Sequence, residues 1–217
     1  MFKKIALFLC VIQTAYMSSV FAAGADREDG LPGMPYQQTD PSEFKVCADP
    51  DNMPYSTQKG EGFENKIAEL LAKDLGKTLT YEFWLDRQGY LRNTINAQRC
   101  DVIIGMGSEV DNLRTSKPYY RSGYVFVYRK SSNYNIKDWD SEDLRKGIIG
   151  IVGQSPPTIP LNDHNLMANA RPYRLQRDLN LPPSFIVDDL IAGKIDIAIV
   201  WGPIGGYFAK QSKEPLV

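Results

Sequence analysis

From residue 44 onward, short apolar runs alternate with stretches whose apolar positions recur at helical spacing. Residues 44–48 predict a strand, and residues 63–75 predict a helix that ends at Gly76. The following segments predict, in order, a strand (78–84), a helix (89–97) and a fully apolar strand (101–106). Strands that alternate with helices indicate a parallel sheet with right-handed crossovers.

A second α/β unit follows the first. Its apolar runs predict strands at 123–128, 147–152, 171–175 and 195–201, a polar loop at 133–142, and a helix at 183–192. Another helix is expected after Trp201. We therefore predict a first lobe over residues 44–121, a crossover hinge over 122–130 and a second lobe over 131–217.

The N-terminus has the pattern of a secretory signal peptide over residues 1–22. Lys3 and Lys4 precede an apolar run at residues 5–12, and small residues close the segment near Ala22. The run is shorter than the ~20 apolar residues of a transmembrane helix. Residues 23–43 are rich in glycine, proline and charge and predict a flexible segment. The pattern predicts export to the periplasm.

Composition narrows the classes of function. The 217 residues contain 25 Lys and Arg against 26 Asp and Glu, a net charge of −1, so nucleic acid is an unfavourable partner. His164 is the only histidine, which excludes histidine-rich metal sites and catalysis by several histidines. The segment that begins at Asp49 starts like a calcium loop, but Met53 occupies a ligand position. No metal site and no cofactor are predicted.

Three cysteines are present, and Cys10 lies within the predicted signal peptide. Cys47 and Cys100 remain, an even number in an oxidising compartment, which favours a disulfide. The first and third strands of the predicted lobe are neighbours, so the two cysteines begin in the same region. Two buried free thiols are the alternative.

Several motifs resemble type II periplasmic solute-binding proteins. They are Gly62-Phe63 at a helix start, the run from Cys100 to Met106, and Ser116-Lys117-Pro118-Tyr119-Tyr120. The resemblance implies an α/β, two-lobed type II periplasmic binding protein fold. The chain is expected to lack the C-terminal segment that returns to the first lobe in these proteins.

A narrower resemblance covers residues 44–209. Residues 46–56, 60–67, 87–90, 92–94, 118–122 and 199–203 are similar to the J-type proteins, MxaJ and XoxJ, that accompany quinoprotein methanol dehydrogenases. It implies a non-enzymatic periplasmic accessory factor that assists assembly or activation of a PQQ-dependent methanol or alcohol dehydrogenase. An ABC-importer receptor for a small organic solute is the alternative. An enzyme on this fold would need a nucleophile and a base, and no such set of residues is evident.

Two departures concern the carboxylate site of amino-acid receptors. Those proteins usually have an arginine seven residues before the Ser-x-Pro-Tyr motif, where this chain has Glu109. They also use backbone N–H groups at a helix start in the second lobe, where Pro156 and Pro157 remove two donors. Free amino acids are therefore poor candidates as ligands.

The ligand cleft is predicted beyond the carboxyl ends of the strands. That rule selects Tyr55, Arg87, Met106, Gly107 and Ser108 in the first lobe, with Gln154 and Trp201 facing them from the second lobe. Glu61 and Glu64 would face the cleft in the type II arrangement, although acids at a helix start also favour the helix dipole. Tyr119 and Tyr120 are expected at the cleft mouth or on a partner-facing surface. The tyrosine and tryptophan lining favours a large aromatic group or a protein segment over a small zwitterion.

Overall fold

The computed structural model describes residues 40–108, 110–174, 178 and 180–217. The predicted signal peptide, most of the predicted flexible segment at 23–43, and Glu109 lie outside the described residues. The described residues form two main sheets with their helices, and the boundaries of the two lobes and the hinge stay predictions.

The first sheet contains three parallel strands in the order β4-β1-β5. Its elements, with the helices that connect them, are β1 (Glu43–Ala48), α1 (Phe63–Asp74), β4 (Thr78–Phe83), α2 (Tyr90–Asn93) and β5 (Val102–Ile103). The helix α1 buries Ala68 and Ala72 against Phe44 and Val46 of the central strand. These small alanines allow the helix to pack closely on the sheet, and this burial holds the start of α1 near the sheet's carboxyl edge.

A short hairpin links β1 to α1 and is formed by β2 (Asp51–Asn52) and β3 (Ser56–Thr57). Asn65 Oδ1 joins the hairpin to the helix, because it accepts hydrogen bonds from the backbone N–H groups of Thr57 (2.9 Å) and Gly62 (3.1 Å). A β-carbon at Gly62 would lie 1.9 Å from the carbonyl oxygen of Tyr55, so only glycine fits there.

The second sheet has the strand order β6-β9-β7-β8, with β6 antiparallel to β9 and the other pairs parallel. Its elements are β6 (Tyr124–Tyr128), β7 (Ile149–Val152), α3 (Thr158–Asp163), β8 (Ala170–Tyr173), α4 (Phe185–Ile191), β9 (Ile197–Trp201) and α5 (Gly202–Gln211). Leu144, Ile149, Leu161 and Ile197 are fully buried on one face. Ile195 and Leu190 are equally buried in a second cluster. Apolar packing on both faces explains why these strands are continuous apolar runs.

The residues at the end of the sequence pair with β6. Backbone hydrogen bonds join Tyr128 to Val217 in both directions, at 3.0 and 2.9 Å, and Lys130 N–H donates to the Pro215 carbonyl at 2.8 Å. Arg129 lies between these pairs, and its guanidinium donates to the carbonyl oxygens of Leu190 and Ile195 and to Asp196. One side chain therefore links β6, the end of α4 and the start of β9.

The predicted disulfide is confirmed. Cys47 and Cys100 are bonded, with 5.6 Å between their Cα atoms across 53 residues of sequence. Cys47 pairs in register with Ile103 of β5, as expected if the first and third strands are neighbours.

Two predicted elements differ from the structure, and one helix was not predicted. The strand predicted at 101–106 is only Val102–Ile103, because the backbone turns at Gly105 with a φ of +89°. The helix predicted at 89–97 is divided at Thr94 into α2 and a short 3-10 helix, Ile95–Ala97. The helix α3, which follows Pro156 and Pro157, was not predicted, because those prolines suggested a loop.

Candidate functional site

Four aromatic rings meet at the start of α1. The ring of Phe63 lies 5.3 Å from Tyr55 and 5.8 Å from Tyr120, centre to centre, in edge-on contacts, and Tyr120 lies 5.2 Å from Tyr119. We call Tyr55, Phe63, Tyr119 and Tyr120 the aromatic cluster. Gly62 positions it, since the tight approach of Gly62 to the Tyr55 backbone brings residues 55 and 63 together. Edge-on rings at these distances attract one another beyond the effect of burial alone.

A carboxylic acid lies beside this cluster. Glu64, in the first turn of α1, packs against the backbone of Gly105, where a β-carbon would lie 1.9 Å from Oε1. Burial raises the pKa of Glu64 to about 8, and the neighbouring negative charge of Asp86 contributes to the rise. A protonated carboxyl donates a hydrogen bond, so near neutral pH this group can serve both as donor and as acceptor.

The tyrosines around Glu64 remain neutral. Burial raises the pKa of Tyr119 to about 12, with the charge of Glu64 as the next cause. The pKa values of Tyr55 and Tyr90 are also raised, mainly by burial. The cluster therefore offers rings and hydroxyl groups without fixed charge, a surface suited to aromatic or apolar groups with a few polar atoms.

Asp49 fixes the loops that surround the cluster. Its carboxylate accepts the backbone N–H of Asp51 and of Asp86, both at 2.8 Å, and only 3% of the residue is exposed. The Ser56 hydroxyl donates to the Asp49 carbonyl oxygen at 2.8 Å. Asp49 thus holds the hairpin and the chain after β4 in place, a structural role for the residue that opened the calcium-like motif. Within the described part of the chain, no group of three or more His, Cys, Asp or Glu residues is arranged to hold a metal ion.

The second sheet contributes another aromatic pair. The rings of Tyr124 and Trp201 lie 5.3 Å apart on paired residues of β6 and β9. Tyr124 is near enough to Tyr55 to contribute to the raised pKa of that phenol. Tyr55 follows β1 and Trp201 ends β9, so each aromatic group includes a residue at the carboxyl side of a strand.

The structure brings some of the predicted cleft residues together. Tyr55 and Tyr119 belong to the aromatic cluster, and Trp201 to the neighbouring pair. Met106, Gly107 and Ser108 follow β5 and the Gly105 turn, and Ser108 accepts a hydrogen bond from Thr115. Their assignment as ligand contacts stays a prediction.

Three other predicted cleft residues are exposed. Arg87 lies in the turn before α2, Glu61 comes just before Gly62 at the start of α1, and Gln154 follows β7 with a φ of +63°. No described ring or hydrogen-bond contact joins them to the aromatic cluster. Their place in the cleft also stays a prediction.

The sequence did not indicate Phe63 as a cleft residue, and it offered Glu64 and Tyr120 only beside other interpretations, a helix-dipole role for Glu64 and a partner-facing surface for Tyr120. An acid in the first helical turn is commonly explained by the helix dipole, so Glu64 carried no distinct signal. The motifs did contain a clue, since Gly62-Phe63 stands at the start of the helix and Gly105 lies next to the end of the third predicted strand. Only the fold shows that these glycines place the cluster and the carboxyl side by side.

The comparisons with known proteins identify the family. A scan against known protein families finds no matching family. Protein MoxJ from Paracoccus denitrificans is 32% identical over 189 residues, which cover 82% of this chain and 68% of that protein. The chain belongs to the MoxJ family. The J-type resemblance noted in the sequence is confirmed.

Solved structures agree with membership of the MoxJ family. The periplasmic binding protein XoxJ from Methylobacterium extorquens AM1 is 39% identical, with a TM-score of 0.67, and the match covers 80% of this chain and 75% of that one. MxaJ from Methlophaga aminisulfidivorans MPT is 30% identical, with a TM-score of 0.70 and the same coverage of both chains. The predicted periplasmic binding protein fold is thereby confirmed. Among the described residues, no helix has the length and apolar character needed to cross a membrane.

Proposed function

We propose that this protein is a periplasmic accessory factor that binds a segment of a quinoprotein methanol or alcohol dehydrogenase and assists its assembly or activation. The dehydrogenase as partner rests on the relatives named MoxJ, XoxJ and MxaJ. The proposal of a binding role, and not a catalytic one, rests on the chemistry of the site. The single observation that carries the proposal is the aromatic cluster beside the buried carboxyl group of Glu64.

The loop after β7 supports the same conclusion. In an anion site, its backbone N–H groups would point to the ligand. Here Gly153 N–H donates to Tyr173 at 2.9 Å and Ser155 N–H to Val152 at 3.2 Å, while Pro156 and Pro157 have no N–H. The loop therefore has little capacity to bind a carboxylate, which disfavours a free amino acid as ligand.

A peptide segment suits the cluster better. Its side chains would cover the exposed parts of Tyr119 and Tyr120, and its backbone would find donors and acceptors in the neutral tyrosines and protonated Glu64. An importer receptor for a small organic solute is the second candidate. It is favoured by the same rings and uncharged hydroxyl groups, which suit an aromatic or apolar solute with a few polar atoms.

The test is capture of a dehydrogenase from periplasmic extract. The tagged mature protein is expected to retain a quinoprotein dehydrogenase. A Tyr119→Ser, Tyr120→Ser double variant should lose it, because it removes the exposed rings of the cluster. Leu70→Ser and Ile159→Ser, which change exposed apolar side chains elsewhere, serve as the matched control. Failure to recover any dehydrogenase at low or moderate salt would contradict the proposal.

A further inference from the structure

The chain that connects the two sheets has an uneven distribution of charge. Between Asp111 and Asp138 there is no acidic residue, although the whole protein has a net charge of −1. The same interval contains six basic residues, which are Arg114, Lys117, Arg121, Arg129, Lys130 and Lys137. Such a local excess of one charge in a nearly neutral protein creates a field that a partner of opposite charge would sense.

Part of this interval is also exposed to solvent. Every residue from 114 to 125 is exposed, and the chain has no regular secondary structure before β6 begins. We call residues 114–125 the crossover strip. Tyr119 is 51% exposed, and Tyr120, Tyr124 and Val125 are each 37–39% exposed, so apolar area is interspersed with the charges. Large apolar side chains grouped in this way are typical of interaction surfaces.

The three cations of the crossover strip, Arg114, Lys117 and Arg121, have no ionic partner in the part of the chain that the structure describes. Arg129 differs, because its guanidinium is bound to Asp196 and to two carbonyl oxygens. In an extended chain at about 3.3 Å per residue, the three positions span roughly 23 Å. That length matches one side of a standard protein interface.

We propose that the crossover strip is a docking surface for an acidic protein segment that also carries apolar side chains. Opposite charge would steer the partner, and Tyr119, Tyr120 and Tyr124 would supply the buried contact. The strip shares Tyr119 and Tyr120 with the aromatic cluster, so one partner could occupy both surfaces. To that extent, the inference rests on the proposed function.

Two other occupants fit less well. A second copy in a symmetric contact would place the same three cations opposite one another, which is unfavourable. A nucleic acid would need a stronger basic surplus over the whole domain than a net charge of −1 provides. The acidic protein segment is the occupant that satisfies both the charge and the exposed rings.

The test uses defined polymers. Fluorescence anisotropy is measured with a labelled random copolymer of glutamate and tyrosine, with polyglutamate, and with a copolymer of lysine and tyrosine. We expect the glutamate–tyrosine copolymer to bind at least tenfold more tightly than either of the others, and its binding to weaken as NaCl rises from 50 to 300 mM. Equal binding of the lysine–tyrosine copolymer would overturn the proposal.

Charge-reversal variants test whether the copolymer binds at the crossover strip. The triple change Arg114→Glu, Lys117→Glu and Arg121→Glu should weaken binding of the glutamate–tyrosine copolymer by tenfold or more. The matched triple change Lys59→Glu, Lys73→Glu and Lys77→Glu alters the net charge equally at exposed positions outside the strip. It should change the affinity for the glutamate–tyrosine copolymer by less than threefold. If the first triple variant does not fold, the corresponding glutamine variant replaces it.

An equal loss of copolymer affinity in both triple variants would overturn the proposal, since net charge alone would then explain binding. Dimer formation that depends on the strip, measured by sedimentation, would also overturn it in favour of a second copy. If the copolymer binds at the strip but no dehydrogenase is captured, the proposed function fails and this inference stands. The reverse result would reject the inference alone.

Discussion

The carboxyl group of Glu64 packs against the backbone of Gly105, and a β-carbon at residue 105 would lie 1.9 Å from Oε1. Gly105→Ala should therefore displace the end of the Glu64 side chain toward solvent. Because Gly105 has a φ of +89°, the change should also cost about 1 kcal/mol in backbone strain. The free energy of unfolding, measured in urea at several pH values, should fall slightly and lose part of its pH dependence.

Gly76→Ala is the control for that experiment. Gly76 has a φ of +64°, and an added β-carbon would meet nothing within 4 Å. Gly76→Ala should therefore lower the free energy of unfolding by the backbone strain alone and leave its pH dependence unchanged. If the two alanine variants behave alike at every pH, Glu64 is not held by Gly105.

Glu64 should make the protein less stable as pH rises. Its pKa of about 8 in the folded protein exceeds the usual value of 4.5 that it regains on unfolding. Between these values the folded state holds a proton that the unfolded state has released, so the contribution of Glu64 to stability is greatest at low pH and is lost as pH rises through 8. Glu64→Gln should remove a penalty on the order of 3 kcal/mol near pH 8.

The measurement is the free energy of unfolding of wild type and Glu64→Gln at pH 5, 6.5 and 8. Glu69→Gln, at an exposed position in the same helix, is the matched control and should follow wild type. Parallel pH curves for wild type and Glu64→Gln would show that the folded protein does not raise the pKa of Glu64.

Removing the disulfide should lower stability strongly. In the chain-entropy account, a bond that closes 53 residues contributes roughly 4 kcal/mol. The Cys47→Ala, Cys100→Ala variant should therefore unfold at a much lower urea concentration than the oxidised protein. Thiol titration of the denatured, unreduced protein should find neither cysteine free, and two free thiols would contradict the structure.

Strong local patterns explain what could be predicted from the sequence. The strand β1 and the helix α1 combine a clear period with a distinct end at Gly76, and the disulfide followed from two cysteines near neighbouring strands. The ends of elements were harder to predict. The apolar run after Cys100 cannot show that Gly105 turns the chain, because glycine is compatible with a strand.

The site was harder to predict for a different reason. Glu64 packs against Gly105 and lies in the field of the Asp86 charge, and both residues are distant in sequence, so no window around position 64 contains that information. Tyr119 and Trp201 were selected because strand ends and the family motif indicate them. Their aromatic neighbours depend on side-chain packing, which only the fold specifies.

Arg129 should be essential for the stability of the second sheet. Its guanidinium donates to Leu190, Ile195 and Asp196 from a largely buried position. Arg129→Lys keeps the charge but cannot reproduce the planar set of donors, and should cost about 2 kcal/mol of unfolding free energy. Arg171→Lys, at a more exposed ion pair, should cost less than about 0.5 kcal/mol. Equal losses would show that the buried acceptors do not depend on Arg129.

Free amino acids should bind weakly or not at all. The loop after β7 has few free N–H groups, and Glu64 occupies the region of the aromatic cluster. Titration calorimetry with each common amino acid should give dissociation constants no tighter than millimolar, equivalent to about 4 kcal/mol. Micromolar binding of any of them would favour the importer receptor over the accessory factor.

The pairing of residues 215–217 with β6 also affects how the protein behaves at high concentration. A strand at the edge of a sheet can recruit a strand from another molecule and so begin aggregation. Along β6, the hydrogen bonds from Tyr128 to Val217 and from Lys130 to Pro215 close that edge at one end. While this pairing holds, a strand from another molecule cannot form backbone hydrogen bonds with Tyr128 or Lys130 on that side.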